Sequence, residues 1–129
     1  MAVKPTQLMP VSVSIDKEKR LAICTAYGVV VNEDGPEIQR QLMAHPDFDP
    51  SFSQLLDMTA VTKLEIDAEL IRKLAQSTVF HSSSRRAFVA GSDLTYGFSR
   101  MFEILLDSRG AGGITVFRTR EEALLWLEQ

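Results

Sequence analysis

Asp57 and Asp67 bracket the stretch DMTAVTKLEID, with Thr59 two residues after the first acid. Two carboxylates brought together at a sheet's carboxyl edge can share acid–base work, one giving a proton while the other takes one. The same outline also suits a regulatory switch, in which a phosphate added beside an acid changes the local charge. Simpler duties account for each residue: a strand-end acid, a loop hydroxyl satisfying backbone, and a helix cap. His45 stands before Pro46 and His81 lies in the serine-rich VFHSSS, while the single cysteine, Cys24, sits inside the apolar run LAICTAY. These make no ligand set of zinc-like spacing and no nucleophile–base pair. GAGG at 110–113 lacks the lysine and Ser/Thr of a phosphate-cradling loop and precedes a strand, so it reads as a turn. No catalytic residue, metal or cofactor is assigned, and the chain is expected not to be an enzyme.

Two further groupings carry binding chemistry. HSSSRR, His81 to Arg86, gathers hydroxyls and two guanidinium groups that suit an acidic head group or a partner's carboxylate, or simply form a solvated loop. GSDLTYGFSRMF places Tyr96, Phe98, Met101 and Phe102 after a strand end, and Phe48, Phe80 and Phe88 add aromatic mass. Aromatic and Met side chains at helical spacing commonly form core; they can also line an apolar cavity. The expected ligand-binding set is therefore Phe80, Phe88, Tyr96, Phe98, Met101 and Phe102. The expected partner-contacting edge is Asp57, Thr59 and Asp67.

The elements that must position these residues follow from pattern. At 129 residues, 45% hydrophobic and 24% charged, the chain can bury one core, so one domain is expected over 10–129 after a loose leader at 1–9. A net charge of −3 without a basic tract excludes a phosphate-backbone binder, and no segment is apolar enough to span a membrane. One buried thiol without a pairing partner, and no export signal, point to the cytoplasm. VSVSI (Val11 to Ile15) and RLAICTAYG (Arg20 to Gly28) alternate around the charged DKEK, which predicts an antiparallel hairpin with Leu21, Ile23, Thr25 and Tyr27 on one face. Asn32 is expected to cap a helix carrying Ile38 and Leu42 inward and stopping before Pro46. QLLDM (Gln54 to Met58) reads as a short buried strand ending in an acid, and Asp67 as the cap of a helix with Leu70, Ile71, Leu74 and Ala75 inward. RRAFVAG (Arg85 to Gly91) is a strand, followed by a helix capped at Ser92 or Asp93 with Leu94, Phe98, Met101, Phe102 and Leu105 inward, bracketed by Gly91 and Gly110. ITVF (Ile114 to Phe117) is a last strand, and Thr119 with Glu122 caps a terminal helix. The order β-β-α-β-α-β-α-β-α predicts an α/β fold: a single mixed five-stranded sheet, an N-terminal antiparallel hairpin and then alternating β-α units, with about four helices.

On these residues the chain resembles STAS domains, the bacterial anti-sigma-factor antagonists and their relatives. PDFDPSFSQLLDMTAVTKLEI, RRAFVAGSDLTYGFSRMFEIL and ITVFRTREEALLWL are similar to small stand-alone bacterial SpoIIAA-like proteins, often grouped with CRAL-TRIO lipid-binding domains. The resemblance covers nearly everything from Met9 to Glu128, and its motifs are specific to fold more than to function. It implies either a lipophilic ligand held beside the 94–108 helix or a regulatory contact with a partner protein, a homodimer included. An antagonist switched by phosphorylation carries a serine directly after the acid that begins the helix following the central strand. Here Asp67 is followed by Ala68, or Glu65 by Ile66 in the ungapped alignment, and neither choice offers a hydroxyl. The resemblance thus implies the scaffold without that switch.

Overall fold

The computed structural model describes residues 10–108 and 113–129; the leader expected at 1–9 and most of the glycine turn at 110–113 lie outside the described residues. Strands β1 (Val11–Asp16), β2 (Leu21–Val31), β3 (Ser53–Glu65), β4 (Arg86–Val89) and β5 (Ile114–Phe117) form one sheet in the order 1-2-3-4-5. Helices α1 (Asp34–Ala44), α2 (Ala68–Gln76), α3 (Asp93–Ser108) and α4 (Arg120–Leu127) alternate with them. β1 runs antiparallel to β2, and the remaining neighbours are parallel. The mixed five-stranded architecture is as the sequence predicts.

This order decides how the sheet is covered. Right-handed crossovers that always step to the next strand in one direction place every connecting helix on the same face. Accordingly α1, α2 and α3 cover one face, over a core that includes Cys24, Leu42, Leu56, Ile71, Phe88, Phe102 and Leu106. Only the terminal helix α4 covers the other, where Leu21, Leu55, Ala87, Val89 and Ala123 pack with Trp126 and Leu127. Alternation along each strand then fixes the side of every residue. In β4, Arg86 and Phe88 face the three helices, whereas Ala87 and Val89 face α4.

β2 and β3 are longer than the pattern QLLDM predicts. β3 continues past β4 and pairs with Val29–Val31 of β2 alone, after register shifts at Thr25/Tyr27 and Gly28/Val29. Gly28 adopts φ +69 at that irregularity, a conformation that suits glycine in a bulge. Beyond β4 the strand is half-exposed and carries Thr62, Lys63 and Glu65, which is why its sequence resembles a loop. Asp57 therefore stands mid-strand, opposite Val89, and not at a strand end. The expected Asn32 cap is also absent: the cap residue of α1 is Glu33, and the Val31 N–H donates to Asp34 Oδ2 at 2.7 Å instead. Asn32 turns to the next helix, bonding Asp67 through both its amide nitrogen and its oxygen. Asp67 caps α2 by accepting from the Leu70 N–H, and Thr119 caps α4 by accepting from the Glu122 N–H, both as expected.

The inner face of α3 is rotated from the expected one. Leu94 and Met101 are about half exposed, at 51% and 46%, whereas Thr95, Ser99, Phe102 and Leu106 point to the sheet. Small Thr and Ser side chains let the helix approach the sheet closely, and their polarity hides that role in a hydrophobic pattern. Ser92 caps the helix, its hydroxyl accepting from the Thr95 N–H. Ser99 Oγ is buried with no hydrogen-bond partner among the described residues. A buried hydroxyl without a partner costs its desolvation, so Ser99→Ala is expected to stabilise the fold by about 1 kcal/mol in urea unfolding. A loss of stability would show that the hydroxyl finds a partner.

Candidate functional site

The face covered by three helices holds an apolar cavity of about 80 Å³. Its walls come from α1 (Ile38, Leu42), α3 (Phe98, Phe102), the segment after α2 (Thr78, Val79, Phe80) and the sheet. The lining follows β3 from Gln54 through Leu56, Met58 and Val61 to Leu64, an extended run on the order of 30 Å, so the cavity belongs to a long cleft. Phe80, Phe88, Phe98 and Phe102, four of the six residues expected to bind ligand, line it. The Phe88, Phe98 and Phe102 rings pack as a group, with Phe88–Phe102 centroids 5.7 Å and Phe98–Phe102 centroids 6.5 Å apart, while the Phe80 ring packs edge-on against Phe48 at 5.4 Å.

Tyr96 and Met101 lie outside the lining, which corrects their expected placement. Met101 is one position off the Phe98–Phe102 face, and at about 100° per residue that turns it to solvent. Tyr96 instead packs beneath the Arg118 guanidinium, 4.1 Å from its ring centroid.

Strand alternation also divides the arginine pair of HSSSRR, so the two do not serve one head group. Arg85 turns to the α4 side, donating to the Trp126 carbonyl and stacking over its ring. Arg86 turns into the cleft and is buried, at 9% exposure. Its Nε donates to Gln54 Oε1 at 2.8 Å and its Nη1 to Thr78 Oγ1 at 3.1 Å, and its guanidinium lies 5.0 Å from the Phe80 ring centroid. Burial pulls its pKa down to about 10, so it stays charged at neutral pH. Neighbouring Cys24 is buried as expected, and burial pushes its thiol up to about 11, so it is neutral there. Two serines of the same loop are engaged within the protein: Ser84 donates to the Pro50 carbonyl and Ser83 bonds His81 Nδ1.

Asp57, Thr59 and Asp67 do not form one edge. Asp57 and Thr59 meet: Asp57 Oδ1 accepts from both the Thr59 N–H and its hydroxyl, while Arg120 Nη1 donates to Oδ2 at 2.7 Å. Burial acts to raise this carboxyl, but the Thr59 bonds and the Arg120 guanidinium outweigh it and hold it below the usual carboxylate range. Asp67 stands at the far end of β3, on the order of 25 Å along the strand, clasped to Asn32. The two carboxylates therefore cannot act as a pair. The Asp57 cluster contacts α4, so it lies on the opposite face of the sheet from the apolar cleft.

Sequence reasoning missed Arg86 as a cleft residue, together with Gln54 and Thr78. The alternation of RRAFVAG does carry the signal, because Phe88 is a core residue and Arg86 must share its face. No group of three or more metal-ligating side chains occurs among the described residues, and no described helix is long and apolar enough to cross a membrane.

No family model matches the sequence, and no curated protein matches it. Among solved structures the chain is similar to an uncharacterized protein of the DUF3478 family with a SpoIIAA-like fold from Shewanella loihica PV-4. The two are 19% identical and superpose with a TM-score of 0.64 over 98% of each chain. Coverage of 98% of both chains at that TM-score establishes that this chain has a SpoIIAA-like fold.

Proposed function

We propose that this chain is a cytoplasmic, non-enzymatic SpoIIAA-like domain that binds a lipophilic small molecule in the cleft between the sheet and helices α1–α3. The observation that supports this reading is the cavity itself, lined by apolar side chains from three helices and four strands. The sequence resemblance to CRAL-TRIO-related proteins supports it independently. At about 80 Å³ the cavity is smaller than the ~150 Å³ that admits benzene in an engineered protein interior, and well below the ~300 Å³ of ordinary ligand pockets. Even a short fatty acid therefore requires α3 or α1 to move outward, and a longer one requires a larger movement.

A thermal-shift panel of fatty acids, isoprenoids and sterol-like compounds on ligand-free protein tests the reading. A ligand at about a hundred times its dissociation constant is expected to add roughly 2.7 kcal/mol of stability. Flat melting curves across the panel would overturn it. They would favour a partner-protein contact in the middle of β3, where β4 ends, Thr59 is exposed and Arg120 holds Asp57 ionised.

A further inference from the structure

Resting on the ligand-binding reading above, we propose that the ligand is a carboxylate-bearing amphiphile whose head group pairs with Arg86 while its apolar tail runs along β3 toward Val30 and Leu64. Arg86 is a buried cation with no acidic partner among the described residues. The other arginines that hold a carboxylate keep their own guanidinium partly exposed: Arg40 with Glu37, Arg100 with Glu103, Arg118 with Asp93 and Arg120 with Asp57. Arg86 has only neutral acceptors, Gln54 and Thr78, and three aromatic rings at 5.0, 5.7 and 5.9 Å. A buried charge is costly unless paired, and cation–π contacts replace only part of its hydration.

The cleft has the polarity such a ligand needs. Gln54 and Arg86 are paired in register at the amino end of β3 and β4, with Thr78 beside them. Leu56, Met58, Val61, Leu64 and Ile66 follow along the wall. The lining's one carboxylate, Asp34, lies at the other end, held by the Val31 N–H next to the Val30–Leu64 pair. It neither neutralises Arg86 nor opposes an anion placed there. A planar carboxylate matches the guanidinium fork that Gln54 and Thr78 orient.

Calorimetric titration of ligand-free wild type with matched pairs, hexanoate against 1-hexanol and octanoate against 1-octanol, tests the proposal. Each acid is expected to bind about tenfold or more tighter than its alcohol, the gain of a charge-assisted hydrogen bond. Arg86→Met should keep alcohol binding and lose the acid preference, and Arg86→Lys, which keeps the charge without the fork, should keep part of it. Equal affinity for acid and alcohol, or alcohol binding alone, in the wild type would overturn the Arg86 assignment and leave the cleft as a lipophile site. Binding of neither pair, together with flat melting curves for the wider panel, would overturn both. The wild-type comparison decides even if a variant fails to fold.

Discussion

Phe102→Ala is expected to lower the unfolding free energy by about 3–5 kcal/mol, the loss typical of a large core truncation. Phe102 is 5% exposed, packs on Phe88 and Phe98, and lies under the Arg86 guanidinium. Its removal extends an existing cavity, so the site cannot collapse fully, and the cost should fall toward the upper part of the range. The same enlargement should shift ligand preference toward longer or broader tails. Met101→Ala is the control: its side chain is 46% exposed on the outer face of α3 and should change stability by no more than ~0.5 kcal/mol. Urea unfolding of both variants checks the pair. A Met101 loss as large as the Phe102 loss would contradict the helix rotation described above.

Gly113→Ala is expected to cost about 2–4 kcal/mol and to weaken ligand binding as well. Gly113 adopts φ +105, a region that L side chains rarely occupy, and a Cβ placed there would come within 2.7 Å of the Ser84 carbonyl oxygen. That oxygen belongs to the backbone and cannot swing away as a side chain can. The Gly113 carbonyl accepts the Arg86 N–H at 2.8 Å, so the close approach of these two segments also sets the position of Arg86. Spectroscopic unfolding and hexanoate titration of the variant measure the two effects. Gly28→Ala, which meets open space at φ +69, should cost less.

The parts of the molecule governed by local rules were legible in the sequence. The Asp67 and Thr119 caps rest on contacts within three residues, and the hairpin alternation and the inward Leu42 follow from periodicity along one segment. What the sequence left hidden depends on long-range packing. The second half of β3 is a strand because β2 extends alongside it, although Thr62, Lys63 and Glu65 look like loop residues. The face of α3 departs from its hydrophobic pattern because the small Thr95 and Ser99 are fully buried while Leu94 and Met101 are half exposed. The site shows the same division. The Phe80, Phe88, Phe98 and Phe102 cluster was visible as aromatic mass. Arg86 shares the face of Phe88 by strand alternation, but its burial beside the Phe80, Phe88 and Phe102 rings depends on elements distant in sequence.

Methyl-resolved NMR of the ligand-free protein titrated with octanoate tests the central claim most directly, because the two faces of the sheet serve as site and control in one spectrum. The account predicts shifts at Ile38, Leu42, Leu56, Val61 and Leu74, which line the cleft. Leu21, Leu55, Val89 and Leu124, on the α4 side of the sheet, should stay in place. A saturating titration that leaves the first set unmoved, or that moves the second set instead, would contradict it.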